Sequence, residues 1–107
     1  MKRIGFLLKV KQDKIPEYRK HHEAVWPEMK EALHRTGWHN YTLFIREDGL
    51  VFGYFEAVES LQVSQDGMAK EAINLRWQAF MAPFFEGIGG ARPDQTMIEL
   101  EEYFHVD

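Results

Sequence analysis

The chain has 107 residues, 45% hydrophobic and 28% charged, with a formal net charge of −4. That describes one globular domain over 1–107 with a modest core. Without basic clusters interleaved with aromatics, nucleic acid is not an expected partner. The absence of cysteine rules out disulfide and thiolate chemistry. MKRIGFLLKVK is too short in apolar length for a signal peptide core, and no segment suits a membrane span. A cytoplasmic location is the expectation.

Residues 3–11 alternate, with Ile4, Phe6, Leu8 and Val10 on one side, and read as a first strand. Asp13 is a plausible cap for the helix that follows. Ile15, Tyr18, His22, Trp26, Met29 and Leu33 recur at threes and fours, as one stripe of an amphipathic helix. Proline is tolerated in a first helical turn and not deep inside a helix. Pro27 therefore divides this region into a helix over about 14–24, a break near Val25–Trp26, and a second helix from Pro27 to about Thr36. Gly37 suits a left-handed terminator.

Residues 38–46 form a second strand, with Tyr41, Leu43 and Ile45 facing one way and Asn40, Thr42 and Phe44 the other. Glu47-Asp48-Gly49 is a hairpin signal before a third strand over 50–56. A short helix is expected within 58–70. Another spans 71–82 on the stripe Ala69, Ile73, Trp77, Phe80 and Phe84, closed by Pro83. GIGGARPD (87–94) reads as a loop that matches no phosphate-binding motif. Residues 96–105 form a last strand with Ile98 and Leu100 inward and a bulge near Glu101–Glu102.

The order β-α-β-β-α-β predicts an α+β, ferredoxin-like domain with an antiparallel sheet. Both faces of the hairpin carry large apolar residues, and the helices cover one. The other argues for a homodimer.

Tyr18 and His22 lie one helical turn apart on the stripe that faces the core. Such groups are either satisfied by hydrogen bonds or used on a ligand, and spacing alone suits both. No His pair has metal-ligand spacing, and no serine or cysteine sits in a nucleophile motif. Metal and nucleophilic chemistry are therefore not expected. Tyr18, His22, Tyr41 and Trp77, with Arg76 or Gln78 at the rim, would grip a small amphipathic ligand such as a sugar. The competing readings are core packing for Trp77 and a surface salt bridge for Arg76.

EYRKHHEAVWPEM, GWHNY, RW and PDQTMIELEEYFHVD resemble the L-rhamnose mutarotase family over almost the whole chain. The resemblance implies a dimeric α/β-barrel that interconverts anomers of L-rhamnose or a related 6-deoxy sugar without a cofactor. It places the proton-donor histidine on His22 and sugar-binding tyrosines on Tyr18 and Tyr41; His22 is then expected as the catalytic acid at the ring oxygen, with Tyr18 assisting it or holding a hydroxyl. The family's tryptophan pair falls on Trp77 and Gln78, so the second tryptophan is replaced. An Asn-Pro-Asp-Asn-Ser-Pro stretch is likewise altered, to Ala-Arg-Pro-Asp-Gln. Gln78 is expected to offer a donor and an acceptor where an aromatic plate stands in the family. A change to tryptophan there is expected to shift preference toward L-rhamnose. Readings from other classes are an oxygenase of the same fold, cofactor-free or with haem on His22, and a non-catalytic dimeric binding module.

Overall fold

The alternation of Ile4, Phe6, Leu8 and Val10 buries all four of these side chains; the first three lie on one of the two inner strands of an antiparallel sheet, and Val10 follows just past its end. The computed structural model describes residues 1–86 and 92–107. Strand β1 (Lys2–Lys9) pairs with β3 (Leu50–Ala57) on one side and β4 (Ile98–Leu100) on the other. β2 (His39–Ile45) pairs with β3 at the outer edge, so the four strands run in the order β2-β3-β1-β4, all antiparallel. Helices α1 (Ile15–His22) and α2 (Pro27–Arg35) connect β1 to β2, and α3 (Leu61–Ala69) and α4 (Ala72–Met81) connect β3 to β4. This is the expected α+β, split βαβ arrangement. No helix among the described residues is long and apolar enough to cross a membrane.

Pro27 sits at the first position of α2. It holds the preceding Trp26 in extended backbone (φ −56°, ψ 133°), as a residue before proline must be. Helix α1 ends earlier than the expected Ala24, at His22, so the break is wider than the sequence suggests. Asp13 does not cap α1. It lies inside a 3-10 turn, Gln12–Lys14, and the start of α1 has no side-chain cap. Gly37 closes α2 at φ +89°, and the Trp38 N–H donates to the Leu33 carbonyl at 2.9 Å.

The core lies between the sheet and the helices. There Phe55 stacks on Trp38 with centroids 4.1 Å apart, and the Trp38 indole N–H donates to the Ser64 carbonyl. Phe6 fills the centre of this layer because Gly53, on the neighbouring strand, has no side chain. A Cβ at Gly53 would stand 2.1 Å from the Phe6 ring.

Two expectations change. On α4 the buried side chains are Asn74, Trp77, Gln78 and Met81, whereas Phe80 is 41% exposed. The buried face is therefore rotated from the apolar stripe toward two amides. The last strand has only three residues, and residues 101–107 have no regular structure. Ile98 and Leu100 do not face the core. They pair opposite Leu7 and Gly5, on the sheet face away from the helices, with Ile98 63% exposed. Of the glycine-rich loop, residues 87–91 lie outside the described residues; Pro93 and Asp94 are buried in a 3-10 turn, Pro93–Gln95.

Gly53→Ala overpacks the Phe6 ring, and is expected to cost about 1–3 kcal/mol. Urea unfolding should show a lower midpoint with an unchanged slope.

Candidate functional site

The break between α1 and α2 opens a cavity of about 540 Å³ between the helices and β2, within the size range that holds a small organic ligand. His22, Tyr41, Trp77 and Gln78 all line it. A narrow recess continues inward past the same four residues to Tyr18. The structure thus brings together five of the residues that the sequence nominates. Arg76 is not among the residues lining the cavity. One position before Trp77, it points from the exposed side of α4.

The imidazole of His22 is fixed from within its own helix. Its Nδ1 lies 3.0 Å from the Tyr18 carbonyl oxygen, one turn back. A carbonyl only accepts, so Nδ1 carries the proton and Nε2 is the nitrogen left for a ligand. Burial pushes the His22 pKa down from its ordinary value, and neighbouring His21 adds to the effect, while the bond to the carbonyl opposes it. The neutral imidazole is therefore the dominant form at pH 7. The Trp77 ring meets His22 edge to face at 5.7 Å, and Trp26 meets Trp77 in turn at 4.9 Å. Trp26, held by its peptide to Pro27, thereby seats the indole that seats the imidazole.

Tyr18 is buried, 4.4 Å from the His22 ring and edge-on to Phe85. Burial drives its phenol well above the usual range, and the same cause acts on Tyr41. Both hydroxyls stay protonated at neutral pH. Tyr41 approaches from β2, packed on Trp38 and Phe6.

Another wall of the cavity is polar, and of its members Gln78 is expected from the sequence whereas Asn74 and Asp94 are not. Asn74, 1% exposed, donates from Nδ2 to the Met68 carbonyl and to Asp94 Oδ2, each at 3.1 Å. Its Oδ1 accepts from Gln78 Nε2 at 3.0 Å, and Gln78 Oε1 accepts the Asp94 backbone N–H at 3.1 Å. Arg92 Nε donates to Asp94 Oδ1 at 3.1 Å. The available signal was the i, i+4 spacing of Asn74 and Gln78, which puts two amides on one helical face. Gln78 does reach the cavity, but its oxygen and one of its N–H bonds are already committed to this wall.

A scan against family models matches residues 3–106 to the L-rhamnose mutarotase model. The chain belongs to the L-rhamnose mutarotase family. An L-rhamnose mutarotase of Oceanobacillus iheyensis is 39% identical and one of Bacillus subtilis 36% identical, each over the whole of both chains. The crystal structure of an L-rhamnose mutarotase from Formosa agariphila superimposes with a TM-score of 0.80 at 27% identity, again over both full chains. Family membership and fold are thereby settled together, and the resemblance seen in the sequence holds.

Gln78→Trp does not simply restore an aromatic plate. Indole has one donor and no acceptor, so Asn74 Oδ1 and the Asp94 N–H lose their partners. Each unpaired buried group costs about 1–3 kcal/mol. Calorimetry should show a clear fall in Tm for this variant.

Proposed function

We propose that the protein is an aldose mutarotase that interconverts the α and β anomers of L-rhamnose or a related 6-deoxy sugar, with His22 as the proton-transfer group. The observation that carries the assignment is the locked tautomer of His22 beside a cavity walled by aromatic rings. Sugar C–H faces lie well on Trp77 and Tyr41, and ring hydroxyls find partners at Tyr18 and the amide wall.

The chemistry needs no more than one exchanging nitrogen. Neutral Nε2 takes the proton from the anomeric hydroxyl. The bond between C1 and the ring oxygen breaks, its electron pair goes to that oxygen, and a C=O forms at C1. The N–H just formed then delivers the proton to the ring oxygen. Both oxygens are bonded to the same carbon, so one imidazole reaches both in turn. After rotation about C1–C2, the reverse steps close the other face. The Tyr18 carbonyl supports the transient imidazolium through Nδ1–H. A well-placed acid or base of this kind contributes on the order of 10²–10⁴-fold.

His22→Ala should lose exchange by about that factor while remaining folded, measured by saturation transfer between the anomeric proton signals. The resting form must be neutral to accept, and the His22 pKa is depressed. Exchange should therefore hold above the ordinary histidine value and fall only as pH drops through a midpoint below 6.5. Loss of rate on raising the pH through neutrality would instead require a resting imidazolium. A sugar panel without any exchange, together with a Soret band on adding haem, would favour the oxygenase reading.

A homodimer belongs to the same proposal. Phe44 (59% exposed), Phe52, Ile98 and Leu100 form an apolar patch on the helix-free sheet face, and Tyr103, Phe104 and Val106 of the tail are also exposed. A second copy seated on this face would cover them. Light scattering at micromolar concentration is expected to give twice the chain mass, and Phe44→Glu to shift it toward monomer.

A further inference from the structure

We propose that Asp94 grips two adjacent ring hydroxyls of the sugar, and that Gln78 is a positioning residue acting through it. This deepens the mutarotase reading and rests on it. Among the described residues that line the cavity and its inner recess, Asp94 is the one acidic side chain. A carboxylate has about four acceptor sites. Arg92 occupies one on Oδ1 and Asn74 one on Oδ2, so each oxygen keeps one. A vicinal diol supplies two O–H donors, one for each carboxylate oxygen.

Neither neighbouring amide offers two acceptor oxygens for such a pair. Both N–H bonds of the Asn74 amide are spent, on Met68 and Asp94. Gln78 holds the backbone of Asp94 with its oxygen and Asn74 with its nitrogen. Asp94 is thus anchored at its main chain by Gln78, at one oxygen by Asn74, and at the other by Arg92. Only 8% of its surface is exposed, and a buried carboxylate with open acceptor sites calls for donors from whatever fills the cavity. With the anomeric hydroxyl at His22, the adjacent pairs left on L-rhamnose are O2 with O3 and O3 with O4. Either pair includes O3.

The test pairs the loss of Asp94 with the loss of that hydroxyl. L-Rhamnose and its 3-deoxy analogue are titrated against the wild type, Asp94→Asn and Gln78→Met, following tryptophan fluorescence. Trp38 and Trp77 line the cavity and report binding without turnover. Anomer exchange is measured separately. The wild type is expected to bind L-rhamnose about 10- to 100-fold more tightly than the 3-deoxy sugar. Asp94→Asn should bind the two nearly equally, and Gln78→Met should lose most of the discrimination while still melting cooperatively. A purely structural role would weaken both sugars by the same factor and preserve their ratio. That result, or an Asp94→Asn variant keeping the wild-type preference, overturns the proposal. Discriminating binding without exchange leaves Asp94 standing and removes the mutarotase reading. A wild type that binds neither sugar removes both.

Discussion

The side-chain amide of Asn74 ties together parts of the chain that no strand or helix joins. Its two donors reach the end of α3 at Met68 and the turn at Asp94, and its oxygen takes Gln78 from the next turn of α4. Asn74 itself is only 1% exposed, so each of its bonds removed leaves a buried group at the cost of an unpaired one. No buried side-chain nitrogen or oxygen among the described residues is left without a partner. Every buried atom of the network has at least one partner, which favours one arrangement over several. The cavity keeps its shape on this side because the amides leave the turn no alternative.

On the other side, shape comes from a missing hydrogen. Pro27 has no N–H and holds Trp26 extended, which interrupts what would otherwise be one helix. Because α1 stops at His22, the imidazole stands at a helix end, open to the cavity, while its Nδ1 still finds the carbonyl of Tyr18 a turn earlier. A continuous helix would have packed the same ring between neighbours. The break therefore supplies access and the helix supplies the tautomer, and both come from ten residues of sequence.

That half of the site was legible before any coordinates, because apolar and aromatic residues at helical spacing report directly on a buried face. Tyr18, His22 and Trp26 were found that way, and Tyr41 by strand alternation. The amide half was not. Asn74 and Asp94 are residue types that usually face water, and Gln78 is expected only at the rim, so periodicity assigns the buried face of α4 to Phe80 instead. Their burial depends on mutual satisfaction across three segments, and the i, i+4 spacing of Asn74 and Gln78 is its one local trace. Ile98 and Leu100 were misplaced for a related reason. Alternation says that two residues share a face but not which face, and here it is the one turned from the helices. Arg76 is expected at the rim, yet adjacent helical residues point about 100° apart, and with Trp77 turned inward Arg76 falls on the exposed side of α4.

The same network also explains why the chain departs from its family's pattern in two places at once. Gln78 stands where the family resemblance places a second tryptophan, and Arg92 falls within the altered stretch before Pro93 and Asp94. In sequence these are unrelated changes, 14 residues apart. In the fold both bond to Asp94, Gln78 at its backbone N–H and Arg92 at its carboxylate. A tryptophan at 78 would hold that turn by contact alone. An amide holds it by direction, and the guanidinium then fixes the acid from the solvent side. Groups that share one partner do not contribute independently, so either change without the other would leave Asp94 half supported. The two departures are one physical unit, and what they fix in place is a carboxylate in the cavity wall.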